Sequence, residues 1–446
     1  MKLTIHRGTN QIGGSLTEIE SGGYKIFIDF GEQLPGENNH DLGPIEGLTC
    51  GDVSKSALFI THYHSDHIGK INETDHDLKI FTGTTALKIF QCLEEKLSHI
   101  QQVKEADKHK SVLERIGKIQ TFEVLQKVTI GEITVIPLLV DHSAFDAYMF
   151  IVEAEGKRIL HTGDFRRHGF RGKGLGPMLK KYARNIDYLV TEGTNIQRPN
   201  VKIQTERDLQ IEFKSQFRET KYNFVLVSST NIDRIFALYH AAKEAKRCFI
   251  CDKYQKEIMK IVSDNHKQYT PFYNIDYDQG SDFAGRFITL YSQNHKPDPF
   301  NGNLKPFLEN HGFVMLFRTN DLFKPILDEY ASSNESQVYF SMWKGYLDNS
   351  NSAYNKSMYD FLKPYKLKHL HTSGHADAET LKAVYEIVNP KFGIIPIHTD
   401  APDRFLELFR EQTFILLKDG ETLDCNQNDV GCRIHRQGFE RYQKYH

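Results

Sequence analysis

The stretch THYHSDHIGK, Thr61 to Lys70, places His62, His64, Asp66 and His67 within six positions, directly after the apolar run SALFI. A strand that ends in such a turn is either a histidine-rich polar loop or the local half of a metal site. The pattern His-x-His-x-Asp-His is improbable by chance even among 21 histidines in 446 residues. Two histidines at i and i+2 on an extended segment point the same way and can share one metal, while an aspartate and a histidine further round the turn can serve a second. Imidazole and carboxylate together suit Zn²⁺, with Mn²⁺ tolerated where oxygen ligands dominate.

A metal site needs distant partners, and the chain supplies them at the ends of further strand-like runs. LLVDHSAFDAY carries His142, ILHTGDFRR carries Asp164 in a Gly-Asp turn, and IIPIHTD carries His398. Asp29, in IFIDFG, reads as a buried carboxylate that orients a ligand histidine without itself binding metal. Each of these residues alone has a structural reading; their shared strand-end placement favours the metal site.

Composition sets the surroundings. Hydrophobic residues at 39% and charged residues at 26% describe a globular chain with a sizeable core and room for two or three domains. The longest apolar runs are strand-sized, which excludes a membrane-spanning helix, and the N-terminus lacks the apolar core of a secretory signal. The expectation is a cytoplasmic protein. A net charge of −2 gives no overall basic footprint for nucleic acid. Cys248 and Cys251 form a CxxC, but within the alternating RCFICDK, which reads as a buried strand.

The first two hundred residues alternate strand-like runs with helical patterns at TTALKIFQCLEEKLSHIQ and GPMLKKYAR. Past about residue 201 a smaller α/β pattern begins, with helices such as TERDLQIEFKSQFRET and DRIFALYHAAKEAK. From about residue 366, strands ending in histidine-bearing loops return, so an inserted unit explains the order more simply than three consecutive domains. The expected division is 1–200 and 366–425 for the parent domain, 201–365 for the insert and 426–446 for a peripheral tail.

The series THYHSDHIG, DHS and TGDF resembles the motifs of the metallo-β-lactamase superfamily. YLVTEGTN, HTSGHAD and PIHTD resemble the three β-CASP motifs, with Glu192, His375 and His398 at their functional positions. Together with VSSTNIDRI they are most similar to the ribonuclease J branch. The resemblance covers about residues 1–425 and implies an α/β fold: a metallo-β-lactamase αβ/βα sandwich with an inserted β-CASP α/β domain. IHTD departs from the usual His-Gly-Glu, which puts the carboxylate behind His398 in question. The sequence also stops where such enzymes usually continue into another domain linked to assembly, leaving oligomeric state open, a dimer included.

The resemblance implies two divalent ions, zinc or manganese. One is held by His62, His64 and His142, the other by Asp66, His67 and His398, with Asp164 shared. Asp66, His375 and Glu192 are the implied catalytic residues, and Thr230, Asn231, His371 and Ser373 the implied phosphate-binding groups. The plainer reading of Glu192 is a strand-end acid, and that of the last four is loop hydrogen bonding. Trp343, the single tryptophan, suits base stacking or a core or hinge role. The implied activity is a ribonuclease acting on single-stranded RNA, with exonucleolytic and endonucleolytic modes both open. A DNA-directed nuclease, a small-molecule metallohydrolase and an inactive nucleic-acid-binding paralogue are the alternatives.

Overall fold

The computed structural model describes residues 1–36, 41–99, 103–198, 203–266, 271–276, 286–290, 292–293, 296–297, 304–427 and 434–435. Alternating side chains explain its layers. In Tyr24–Ile28, Ile26 and Ile28 enter one core and Phe27 the opposite one. In Tyr188–Glu192, Tyr188 and Val190 face that same first core while Leu189 faces a third. Strands with apolar residues on both faces must be covered on both. The result is two stacked sheets with helices outside them.

The first sheet has the strand order Glu421–Asp424, Lys2–Arg7, Leu16–Ser21, Tyr24–Ile28, Ser56–Phe59, Lys79–Gly83, Gln120–Phe122. The second runs Ile434–His435, Phe414–Ile415, Gly393–Ile397, Tyr188–Glu192, Lys157–His161, Ala147–Ala154, Ile133–Val140, Val128–Ile130. Gly393–Ile397 pairs in parallel with Tyr188–Glu192. The chain thus leaves the second sheet after Glu192 and returns beside the strand it left. Between departure and return lies a six-stranded, all-parallel sheet in the order Phe287–Leu290, Cys248–Asp252, Phe313–Phe317, Tyr222–Leu226, Ser336–Phe340, Leu367–His369. Its last strand, expected in the parent domain from residue 366, pairs instead with Ser336–Phe340, because strand periodicity does not reveal which sheet a strand joins.

Local signals start the helices where they are needed. Thr205 and Asp208 form a reciprocal capping box ahead of Glu206–Glu219. Asn231, Asp252 and Asp377 accept from backbone N–H groups at the starts of Ile232–Glu244, Lys253–Asn265 and Ala378–Val388. The helix expected around TTALKIF ends at Leu97, and a second helix, Val103–Ile116, follows that the sequence reading missed. Its mean composition is polar, and only Ala106, Val112, Arg115 and Ile116 are buried.

One apolar cluster runs from the outer face of the first sheet through Phe145 into the helices Glu206–Glu219, Ile232–Glu244 and Lys253–Asn265. The inserted unit is therefore packed onto the sandwich through a continuous core. Cys248 and Cys251 are buried in a central strand, where burial pushes their thiols up to about 11 and about 12. That is core chemistry, as the alternation suggested. Most of the expected tail 426–446 lies outside the described residues, and no described helix is long and apolar enough to cross a membrane.

Phe213 is fully buried between Phe217 and Tyr339, with both ring centroids at 5.5 Å. Phe213→Ala is expected to cost about 3–5 kcal/mol. Denaturant titration followed by the fluorescence of Trp343, which lies in the same unit, measures this directly.

Candidate metal centre

Every side chain of the centre follows the C-terminal end of a strand. Asp29 follows Tyr24–Ile28, the 61–67 turn follows Ser56–Phe59, His142 follows Ile133–Val140, Asp164 follows Lys157–His161 and His398 follows Gly393–Ile397. Glu192 is the last residue of its strand. Edges of stacked sheets bring these loops together, and Gly163 makes a close approach possible. Its φ is +52°, and a Cβ there would stand 2.8 Å from the Thr61 side chain. Asp29 and His398 also occupy left-handed backbone, at φ 62° and 50°. Such strain in non-glycine residues concentrates at functional sites.

The imidazoles converge through their ligand atoms. His62 Nε2 and His142 Nε2 stand 3.1 and 3.2 Å from His64 Nδ1. His398 Nε2 is 3.1 Å from Asp66 Oδ2, and His67 Nε2 is 3.1 Å from Asp164 Oδ2. The same Asp164 oxygen lies 3.8 Å from His62 Nε2 and 4.0 Å from His142 Nε2. Three groups each keep their ligand atoms within 4.8 Å: His62, His64 and His142; Asp66, His67, Asp164 and His398; Asp164, Glu192, His375 and His398.

The other ring nitrogens are occupied, which fixes the tautomers. His67 Nδ1 donates to Asp29 Oδ2 at 2.7 Å, and His142 Nδ1 donates to the Gly374 carbonyl at 2.7 Å. Thr61 gives Asp29 both its backbone N–H and its hydroxyl hydrogen. The Thr61 oxygen is then left to accept from His62 Nδ1 at 3.0 Å. Thr194 Oγ1, whose hydrogen faces the His398 carbonyl, accepts from His398 Nδ1 at 2.9 Å. With Nδ1 so engaged, each of these four rings turns its Nε2 toward the cluster, the arrangement metal-binding histidines adopt.

Electrostatics point the same way. Burial, with the neighbouring histidines, holds His62 and His142 well below the ordinary imidazole value, and burial lowers His64 to about 4. All three are therefore neutral at physiological pH, the form in which imidazole can bind a metal. Asp164 is held well below the usual carboxylate range: burial opposes this, but His398, His67 and His375 outweigh it. His67 and His375 go the other way against the burial penalty: Asp164, Asp29 and Asp66 hold His67 well above the ordinary imidazole value, and Glu192 and Asp164 push His375 up to about 9. Both Asp164 oxygens, His67 Nε2 and His375 Nδ1 are buried without a hydrogen bond. Unsatisfied acceptors at the focus of four imidazoles fit a bound divalent cation.

His375 Nδ1 stands 3.3 Å from Glu192 Oε2 and 3.5 Å from Asp164 Oδ2, so the acid and the histidine expected to work together are in contact. Glu192 also accepts from the N–H groups of Phe165, Thr194 and Ala376. The four expected phosphate-binding residues have partners of their own. Thr230 Oγ1 meets Ser228 Oγ at 3.2 Å, and Asn231 caps its helix. His371 Nδ1 lies 3.3 Å from the Ser341 carbonyl, and Ser373 Oγ accepts from Asn195 Nδ2 and the His375 N–H. Trp343 is 38% exposed and edge-on to Tyr346 at 5.7 Å.

The acid of IHTD, Asp400, is exposed, and Thr194 holds His398 where that acid was in question. Sequence reasoning missed Thr194, Thr61 and the Gly374 carbonyl. Thr61 stands inside the histidine turn and Thr194 two residues past Glu192, but nothing in residue type distinguishes a threonine that accepts from imidazole.

Residues 364–413 match the family described as the Zn-dependent metallo-hydrolase RNA specificity domain. Ribonuclease J of Mycoplasma genitalium is 23% identical over 425 residues, covering 89% of this chain and 67% of that protein. Ribonuclease J of Helicobacter pylori is 21% identical over 416 residues, covering 89% and 56%. The chain is ribonuclease J-like. Against the two relatives it spans between about half and two thirds of their length. The fold is shared with the crystal structure of a protein of unknown function from Enterococcus faecalis V583, at a TM-score of 0.67 and 18% identity, over 95% of this chain and 99% of that one. The match to a Zn-dependent metallo-hydrolase domain and the histidine–carboxylate cluster together support the use of divalent metal.

Removing the Thr194 hydroxyl leaves His398 free to turn. Thr194→Val is expected to weaken Zn²⁺ binding by about ten- to a hundredfold, read by competition with a chromophoric chelator. Saturating Zn²⁺ is also expected to raise the thermal midpoint of the wild-type protein, and Asp164→Ala to remove most of that rise.

Proposed function

We propose that this chain is a metal-dependent ribonuclease that hydrolyses phosphodiester bonds in single-stranded RNA. The observation that carries this reading is the buried, hydrogen-bond-free Asp164 carboxylate between two imidazole groups, with the His375–Glu192 pair beside it. In this reading His62, His64 and His142 would hold one zinc or manganese ion and Asp66, His67 and His398 a second, with Asp164 within reach of both groups. Divalent ions there would supply an acidified water and charge neutralisation at the phosphate.

The chain's own residues do the rest. Asp29, Thr61, Thr194 and Gly374 hold the imidazoles in one tautomer, so no reorientation is needed as ligands bind. Glu192 keeps His375 protonated beside the cluster. From there the histidine would hand a proton to the leaving oxygen. Thr230, Asn231, His371 and Ser373 are candidate contacts for a neighbouring phosphate. Trp343 offers an exposed ring to a base.

His375→Ala is expected to lower kcat by about 10²–10⁴-fold with metal content unchanged. The substrate class is tested with Mn²⁺- or Zn²⁺-loaded protein on 5′-phosphorylated RNA, 5′-hydroxyl RNA and matched DNA. A ladder from one RNA end or a defined internal cut supports the reading. Cleavage of DNA alone, or of a small ester with both nucleic acids intact, overturns it.

A further inference from the structure

Behind the cluster lies a buried block of three arginines and three carboxylates: Arg166, Arg171 and Arg234 with Asp141, Glu206 and Asp233. Arg166 touches all three acids, with Nε 3.3 Å from Asp141, Nη1 2.9 Å from Glu206 and Nη2 2.9 Å from Asp233. Arg234 donates twice to Glu206, at 2.7 and 3.0 Å. Tyr273 donates to Asp233 at 2.7 Å, and the N–H groups of Gly169 and Phe170 donate to Asp141 and Asp233. Equal numbers of opposite charges let the block close on itself.

Its sequence positions give it a second significance. Asp141 precedes His142, and Arg166 lies two residues past Asp164, whereas Glu206, Asp233 and Arg234 belong to the first helices after the chain leaves the second sheet. The block thus joins the loops of the metal centre to the packed-on unit. A buried ion network is a poor source of stability, because apolar residues of similar volume often serve as well or better. Arg234 donates outward to Ser341 Oγ and the Leu370 carbonyl, while the outgoing bonds of Arg166 and Arg171 run toward His142.

Arg166 Nη1 donates to the Ser373 carbonyl at 3.2 Å, where His168 Nε2 also lies at 2.6 Å. The next carbonyl, that of Gly374, accepts from His142 Nδ1 at 2.7 Å. Arg171 Nη2 donates to the carbonyl of His142 itself at 2.9 Å. His142 is therefore gripped at its backbone by one arginine, and at its ring by a peptide group whose neighbour a second arginine holds. Space is tight as well: a Cβ on Gly374 would stand 2.6 Å from Ser143 Oγ.

We infer that Arg166 is a positioning residue for the metal centre: through the Ser373–Gly374 peptides it sets the direction in which His142 Nε2 points. Lysine at this position keeps the charge but lacks the planar fork that reaches three carboxylates and a carbonyl at once. The inference rests on the metal-binding part of the proposed function and not on the substrate.

The test is a Co²⁺ titration of metal-free wild type, Arg166→Lys, His168→Ala and Tyr273→Phe, with visible absorption spectra and metal-free thermal midpoints recorded for each. Tyr273→Phe is the control, since it perturbs the same block on the side away from Ser373. Arg166→Lys and His168→Ala are expected to lose about tenfold or more in Co²⁺ affinity and to shift the ligand-field bands. Tyr273→Phe is expected to lower the midpoint while leaving affinity and spectrum as in wild type. Wild-type affinity and spectrum in Arg166→Lys, or an equal loss in Tyr273→Phe, overturns the inference. If Arg166→Lys does not fold, His168→Ala decides: unchanged Co²⁺ binding overturns the inference and weakened binding supports it. Failure of wild type to bind Co²⁺ would count against the metal-dependent function as well, and so separates the two.

Discussion

A carboxylate with both oxygens buried and no hydrogen bond is an expensive object, and Asp164 is one. Its charge is tolerable only because His67, His398 and His375 surround it, or because a cation takes their place. Much of the architecture follows from delivering that carboxylate to the meeting point of the sheet ends. The Gly163 turn permits the approach, and the strand Lys157–His161 aims it.

Around Asp164 the chain builds a shell that is polar but almost wholly committed. Asp29 and Thr61 serve His67 and His62, Thr194 serves His398, and a backbone carbonyl serves His142. The commitment matters because a free imidazole has two tautomers and a rotatable ring, and a metal accepts only one presentation. Left-handed backbone at Asp29 and His398 is the local cost of that geometry. His375 stands apart from this set: its Nδ1 faces Glu192 and Asp164, which raise its affinity for a proton.

The unit between the two passes through the second sheet adds its own parallel sheet and shares a core with the sandwich. Its contact with the centre runs through the arginine–carboxylate block and the 369–376 loop, both polar and directional. Both the shared apolar core and the charged block thus join the unit to the sandwich.

Much of this was legible in the residues. Periodicity exposed the strands and most helices, because side-chain alternation is a local consequence of two-faced burial. The crowded turn at 62–67 and the strand-end positions of His142, Asp164 and His398 pointed to one centre, because ligand types at element ends are visible one segment at a time. The helix Val103–Ile116 escaped because its buried face is narrow. Thr61, Thr194 and the Gly374 carbonyl escaped because a hydroxyl or a carbonyl acquires its role only from what stands 3 Å away. The sequence by itself determined which side chains can bind a cation and which segments carry them. Only the tertiary structure decided which ring nitrogen faces inward, that Thr194 and not Asp400 holds His398, and that three arginines lie behind the loop orienting His142, because hydrogen-bond direction depends on contacts between residues far apart in the chain.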